Sequence, residues 1–279
     1  MIKRILVALD TDSDTPVATR YASEIADRYD AEIVGLAVVD TGQIEAASRG
    51  GGVGSMYYGE KLKENLTEET REKAAELLSE FHAALKGTGI PHVETVEEGV
   101  PFRRIIEDMK YHDLLVIGRT PHFFYGHPEE KTKTLAKVVN ETTAPTLVVG
   151  DAHRPVKRVL IAYDGSEAAS RTVKYFTHLK PFGADVQIDA LHVHKGNERE
   201  SRLILGLLAS YLEKHGFVVG QTSIGENGVA EQISDYARDS GVDIVVAGAH
   251  SVSMLRKLAF GSTTQKLLNE CPTPLFLYH

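Results

Sequence analysis

Two short clusters hold the residues best placed to do chemistry. Gly248-Ala249-His250-Ser251 is followed by nine residues and then Gly261-Ser262-Thr263-Thr264, directly ahead of a helical pattern. Gly261 permits close backbone approach and positive φ. Ser262, Thr263 and Thr264 offer hydroxyls and free N–H groups at a helix N-terminus, where anions are favoured. The plainer reading makes Gly248 a strand-end turn and Ser262 or Thr263 an N-cap. The position of the motif at strand ends favours phosphate binding. His250, inside the loop, either touches a phosphate or is simply exposed.

Other candidates are weaker. His192 and His194 fall on one face of an expected strand and could share a metal. The sequence assigns them no third ligand, so satisfied strand-end histidines are favoured. Asp10, Asp12 and Asp14 mimic calcium-loop spacing, but Thr15 stands at the glycine position and Tyr21 at the twelfth; a solvated turn and helix cap is expected. Gly50 to Gly54 lacks the Gly-Lys-Ser/Thr of a Walker loop and reads as a lid or insertion. Cys271 is the single cysteine, which excludes an intramolecular disulfide and a cysteine-based zinc site; core packing is its expected role. No nucleophile elbow emerges.

The elements that must position these residues come twice. Lys3-Arg4-Ile5-Leu6-Val7-Ala8-Leu9-Asp10 matches Lys157-Arg158-Val159-Leu160-Ile161-Ala162-Tyr163-Asp164. Asp113 to Gly118 matches Asp243 to Gly248, and Asn140-Glu141 with Pro145 matches Asn269-Glu270 with Pro274. Between the first two landmarks the first copy holds about 24 more residues, assigned to an insertion over roughly 41–66. The boundary falls at Gly150 to Pro155, giving domains at 1–150 and 156–279. Short apolar runs (Ile5–Leu9, Val159–Tyr163) read as buried parallel strands, followed by amphipathic helices at Pro16–Tyr29 and Glu167–Leu179. Second strands are expected at Glu32–Val39 and Asp185–His194, helices at Glu68–Lys86 and Glu200–His215, and third strands at His92–Glu97 and Val218–Ile224. Helices at Phe102–Tyr111 and Val229–Ser240 lead to fourth strands at Leu114–Gly118 and Ile244–Gly248. Final helices at Thr134–Thr142 and Thr263–Glu270 lead to terminal strands at Thr146–Val149 and Leu275–Tyr278. The fold class is α/β: two tandem, doubly wound, parallel five-stranded sheets with helices on both faces. In such sheets ligands sit beyond the carboxyl ends of the strands, here after strands one, two and four.

The chain resembles a tandem universal stress protein. The family's ATP-binding members carry Gly-x2-Gly-x9-Gly-Ser/Thr after strand four, and Gly248-x2-Ser251-x9-Gly261-Ser262 keeps that spacing with serine at the second glycine. Tyr163-Asp164-Gly165-Ser166-Glu167 and Leu191-His192-Val193 resemble the family's first and second strand ends. The resemblance implies a Rossmann-like fold that binds ATP or a related adenine nucleotide, with or without Mg²⁺. It places Ala162 and Asp164 beside the adenosine and the Val193 backbone against the adenine. It places Gly248 and Ser251 along the ribose and first phosphate, and Gly261, Ser262 and Thr263 on the outer phosphates. Ser251 adds a Cβ and a hydroxyl where the family has glycine.

The first copy departs further. Arg119-Thr120-Pro121 follows Gly118, and Lys131-Thr132, or Thr132-Lys133 in a shifted alignment, replaces Gly-Ser. Three acids after the first strand would repel a polyphosphate without a bound cation. A degenerate or differently used site is expected there, with Arg119, Lys131 and Lys133 as its anion contacts.

The formal net charge of −8 argues against general nucleic-acid binding and against docking on anionic membranes. The apolar run after Met1 is too short for a signal-peptide core, no stretch is long enough to span a bilayer, and the cytoplasm is the expected location. Three readings remain: a stress-response regulator or protective factor that binds adenine nucleotide through its second domain; an interaction or scaffold module with vestigial sites and an unidentified protein partner; and a metal or small-molecule sensor built on His192 and His194. Binding is favoured over catalysis because no general base is placed near the phosphates, leaving at most slow ATP hydrolysis through Asp164 and Mg²⁺. The two copies are expected to form an intramolecular pseudo-dimer through their last strands, with a further homodimer open.

Overall fold

The structure, a computed structural model, describes residues 1–48, 55–121, 123, 134–225, 227–249 and 261–279. In chain order the first half holds β1 (Arg4–Ala8), α1 (Asp14–Tyr29), β2 (Glu32–Asp40), α2 (Thr41–Ser48), α3 (Ser55–Leu85), β3 (His92–Gly99), α4 (Pro101–Asp108), β4 (Leu114–Gly118), α5 (Thr134–Glu141) and β5 (Thr146–Val149). The second half holds β6 (Arg158–Ala162), α6 (Glu167–Leu179), β7 (Gln187–His194), α7 (Glu198–Lys214), β8 (Val218–Gly225), α8 (Val229–Asp239), β9 (Ile244–Gly248), α9 (Ser262–Glu270) and β10 (Leu275–Tyr278).

Alternate strand residues enter opposite layers, as the two-residue period of a strand requires. Ile5, Val7, Val159 and Ile161 pack on one face against Tyr21, Phe81, Phe176 and Leu205. Leu6, Ala8 and Leu160 pack on the other against Ile105, Ile233 and Leu267. With both faces covered, the central strands are continuously apolar, and this is why they read as uninterrupted hydrophobic runs.

The repeated landmarks have a physical reason. Asp113 Oδ2 accepts from the backbone N–H groups of Lys3 (2.7 Å) and Arg4 (3.0 Å). Asp243 Oδ2 does the same for Lys157 and Arg158, both at 2.8 Å. Each aspartate thus satisfies donors at the open start of its domain's first strand, which would otherwise lack partners.

The insertion differs from the reading in one respect. Much of it is helix: α2 follows β2 directly, and α3 begins at Ser55 rather than Glu68. The Gly50–Gly54 segment lies outside the described residues.

The strand order is β3-β2-β1-β4-β5-β10-β9-β6-β7-β8, a single sheet of ten strands. β5 and β10 pair antiparallel, with Leu147 opposite Phe276. The two five-stranded units therefore share one continuous sheet. Phe276 is fully buried at this seam and packs edge-on against Phe176, ring centroids 5.5 Å apart at 81°. Tyr21 and Tyr29 of α1 donate their hydroxyls to the carbonyls of Arg154 and Lys180, tying the halves together on the same face. Phe276→Ala leaves a cavity between the two units and should cost about 3–5 kcal/mol. Urea denaturation checks this, and a loss below about 1 kcal/mol would show that the site collapses without penalty.

Candidate functional site

In the second half the direction of winding reverses between β6 and β9, which pair in parallel with Ala162 opposite Ala247. A crevice opens at the carboxyl ends of strands flanking such a reversal. Here it is a cavity of about 590 Å³, within the usual range for small-molecule sites. Its inner wall is apolar, formed by Ala162, Val193, Val229, Ile233 and Leu267. Its mouth is polar, formed by Asp164, Ser166, Lys195, Asn197, Ser262 and Thr263.

The loop after β6 is built by local hydrogen bonds. Asp164 Oδ1 accepts from the Ser166 N–H at 2.9 Å, Gly165 sits at φ +78°, and Ser166 Oγ caps α6 by accepting from the Ala169 N–H. Gly165 is a position where a side chain would be strained. Opposite this turn, α9 starts at Ser262. Its N-cap residue, Gly261, is buried and provides no side-chain acceptor. The first-turn N–H groups of α9 therefore face the cavity mouth as a positive end that, among the described residues, no side chain caps.

The structure brings Ala162, Asp164, Val193, Gly248, Gly261, Ser262 and Thr263 to one cavity. His250 and Ser251 lie outside the described residues. Two expectations change in detail. Gly261 has φ −59° and ψ 156°, an extended conformation open to any residue, so positive φ is not its reason for being glycine. A Cβ at Gly248 would stand 2.6 Å from the Ala169 backbone nitrogen. Gly248 is thus required first of all for the first turn of α6 to press against the end of β9.

Sequence reasoning missed Lys195, Asn197 and Glu200, which line the cavity from the turn after β7. The signal was present: they follow the second strand of the unit, one of the three places the topology singles out. His192 also lines the cavity, with Nδ1 2.9 Å from Ser201 Oγ, which in turn lies 2.7 Å from Ser223 Oγ. Burial, and then the neighbouring His194, holds its pKa below the ordinary histidine value. Among the described residues no third ligand joins His192 and His194.

The first half handles the same position differently. A Cβ on Gly118 would meet the Asp14 side chain at 2.9 Å, and the Asp14 carboxylate accepts from the Arg119 N–H at 2.9 Å. Asp10 and Asp14 are buried, so the turn is not the solvated one expected. Thr15 Oγ1 accepts from the Asp10 N–H, and Thr120 donates to Asp12. Arg119, expected as an anion contact, instead sends its guanidinium across the seam. Nη1 and Nη2 donate to the carbonyls of Cys271 and Thr273 at 2.6 and 2.8 Å. The seam brings the backbone carbonyls just before β10 within reach of this forked donor. Lys131 and Lys133 lie outside the described residues. Cys271 is buried in the core as expected.

Comparison with known proteins agrees with this doubled architecture. The model of the universal stress protein family matches residues 1–150 and again 155–279. The chain belongs to the universal stress protein family. It is 25% identical over 291 residues to Universal stress protein Slr1230 of Synechocystis sp., covering 99% of this chain and 100% of that one. Among solved structures, a universal stress protein from Archaeoglobus fulgidus DSM 4304 superposes with a TM-score of 0.70 at 18% identity, covering 99% of this chain and 97% of the other. A universal stress protein from Pseudomonas aeruginosa UCBPP-PA14 gives 0.64 at 14% identity, covering 99% and 93%. These whole-chain matches show that the fold is that of a tandem universal stress protein. Among the described residues no helix is long and apolar enough to cross a membrane.

The acidic turn of this universal stress protein's first half can be tested through its titration. Burial is the main cause raising the Asp14 pKa; the Arg119 N–H opposes it, and Asp12 and Asp151 add to it. The folded state thus keeps a proton that the unfolded chain releases, and stability falls as pH rises through that window. Asp14→Asn keeps an acceptor for Arg119 and removes the charge. The variant should gain on the wild type as pH rises from about 4, the unfolded aspartate value, and hold that advantage at neutral pH. Paired denaturation curves across pH check it; a wild type that gains on the variant with rising pH would contradict the assignment.

Proposed function

We propose that this universal stress protein binds ATP or a related adenine nucleotide in its second domain, residues 156–279, and acts in the cytoplasm as a stress-response regulator or protective factor. The observation that carries this reading is the union, in one cavity, of an apolar slot with a helix N-terminus whose N-cap, Gly261, has no side chain to cap it. A flat, largely apolar base suits the wall of Ala162, Val193, Ile233 and Leu267. A phosphate suits the first turn of α9, where Ser262 and Thr263 add hydroxyl donors. Lys195 supplies a cation at the same mouth. Asp164, with Oδ1 engaged by its own loop, is suited to a ribose hydroxyl or, with an outer-phosphate Mg²⁺, to a water ligand. The role proposed is binding, with hydrolysis slow at most.

The first domain, residues 1–150, is proposed as a structural partner in this activity. Its buried Asp10 and Asp14 disfavour an anionic ligand, and its Arg119 is engaged at the seam.

The test is an equilibrium titration of the full chain with a fluorescent ATP analogue. The wild type should saturate, and competition with unlabelled ATP should displace the probe. Gly261→Val is compatible with the backbone at that position but puts a branched side chain at the helix start. It should weaken binding by tenfold or more, about 1.4 kcal/mol for each tenfold. No binding at millimolar nucleotide would overturn the proposal.

A further inference from the structure

A second cluster of chemistry-bearing side chains lies at the far edge of the sheet, in the other domain. His82 is in the last turn of α3, while His92 and Glu94 are two residues apart on β3, on one face of the edge strand. His82 Nδ1 lies 2.7 Å from Glu94 Oε1 and 3.4 Å from His92 Nε2, and His92 Nε2 lies 3.8 Å from Glu94 Oε1. Two imidazoles and a carboxylate thus converge one ligand atom each on a common point. We propose that these three residues form a binding site for a divalent transition metal, Zn²⁺ by the chemistry of the set.

Three features distinguish this site from an ordinary surface ion pair. The first is orientation. His92 Nδ1 lies 3.0 Å from the Ile90 carbonyl, and a carbonyl only accepts, so Nδ1 carries the proton and Nε2 presents its lone pair to the cluster. A backbone carbonyl holding the far ring nitrogen is the usual outer support of a metal-binding histidine. The second is geometry. With metal–ligand bonds of about 2.0–2.1 Å, tetrahedral ligand atoms stand about 3.3 Å apart. The 3.4 Å between the two imidazole nitrogens matches that value, and the 3.8 Å from His92 to Glu94 closes to it with a shift of about half an ångström in the exposed carboxylate. The third spacing, 2.7 Å, is a hydrogen bond whose proton the metal would replace, as metal binding at imidazole and carboxylate does.

The third feature is rigidity. The His92 ring packs edge-on against Phe81, centroids 6.1 Å apart at 82°, and is mostly buried. A Cβ at Gly35 would meet the Phe81 ring at 2.7 Å. Gly35 therefore lets α3 settle onto β2 directly beside Glu94, its register partner on β3. Helix and strand hold the ligands without help from a loop. His82 and Glu94 remain open to solvent, which leaves room for a water as fourth ligand. Two nitrogen donors favour a transition metal over Ca²⁺ or Mg²⁺, which prefer oxygen.

The repeat supplies an internal control. Ile33 and Gly35 correspond to Ile188 and Ala190, whose register partners on β8 are Val219 and Gln221. The second domain lacks the ligand set at these positions, and among the described residues the cluster occurs once.

The experiment uses the full chain stripped with a chelator and titrated with Zn²⁺ against a chromophoric zinc indicator. The wild type should hold one more tight equivalent than His82→Ala. Glu94→Gln should weaken that equivalent by tenfold or more, at least the scale of losing an outer-shell partner. Both side chains are solvent-exposed, so the variants should fold, which circular dichroism verifies. Loading with Co²⁺ should give a tetrahedral visible spectrum in the wild type and not in His82→Ala. Equal stoichiometry and affinity in wild type and His82→Ala, or identical Co²⁺ spectra, would overturn the proposal.

Discussion

Backbone hydrogen bonding between β5 and β10 runs antiparallel, while every other neighbouring pair in the sheet is parallel. That single reversal sets the remaining geometry. It joins two sheet edges that would otherwise expose unpaired N–H and C=O groups beside Leu147 and Phe276, a template for aggregation. It also turns the carboxyl ends of the two halves toward opposite ends of the sheet, so the two crevices cannot merge. Each crevice instead borders the segment that leads into the other half's last strand. At the first crevice that segment contributes the carbonyls of Cys271 and Thr273, and Arg119 binds them. Near the second, Tyr175 and Tyr278 reach the Thr143 carbonyl, and the backbone after β9 is held differently, with the Ala249 N–H donating to Tyr278.

Within each half a second constraint fixes the crevice itself. The first turn of the helix after strand one must lie against the end of strand four, and only glycine permits that approach. Gly118 and Gly248 meet the same requirement, one against the Asp14 side chain and the other against the backbone of Ala168 and Ala169. This requirement belongs to the fold and holds with or without a ligand. What separates the halves is the chemistry added on top of it. Asp14 stands where the second half has Ala168, and Arg119 where it has Ala249. One pair puts a buried carboxylate at the mouth and anchors a cation elsewhere; the other places two small, uncharged side chains at the matching positions.

The fold was readable because its signals are local and repeated. Uninterrupted apolar strands, Ser166 as a helix cap and the Asp113 and Asp243 landmarks each report one element at a time, and the order of elements then allows few topologies. The candidate site was readable for a related reason: the ends of strands one, two and four are brought together by any doubly wound sheet. What could not be read depends on contacts distant in sequence. Nothing near Arg119 announces carbonyls more than 150 residues away. The start of α3 was missed because Gly59 and the thinly apolar stretch before Leu66 give little helical periodicity, and its packing on the rest of the insertion decides its length. Gly261 suggested a left-handed turn, yet its backbone is extended. Of the two properties glycine brings, close approach and positive φ, only the first has a use in that conformation.

The edge strands show how one physical pressure leaves room for different functions. β3 has a neighbour on one side only and carries His92, Glu94, Glu97 and Glu98, with Val93 and Val96 exposed between them. Charged residues on an open edge discourage pairing with another chain. Ligating side chains can accumulate there at little cost to the core, provided a helix comes close enough to add one more. In the first half α3 does so, because Gly35 admits Phe81 and brings His82 with it. In the second half Gly35 is replaced by Ala190, and β8 carries Val219 and Gln221 at the matching positions. The same architecture thus presents an open crevice in one half and a convergent edge cluster in the other. Five strands stand between β3 and β9, so the two features share no supporting contact.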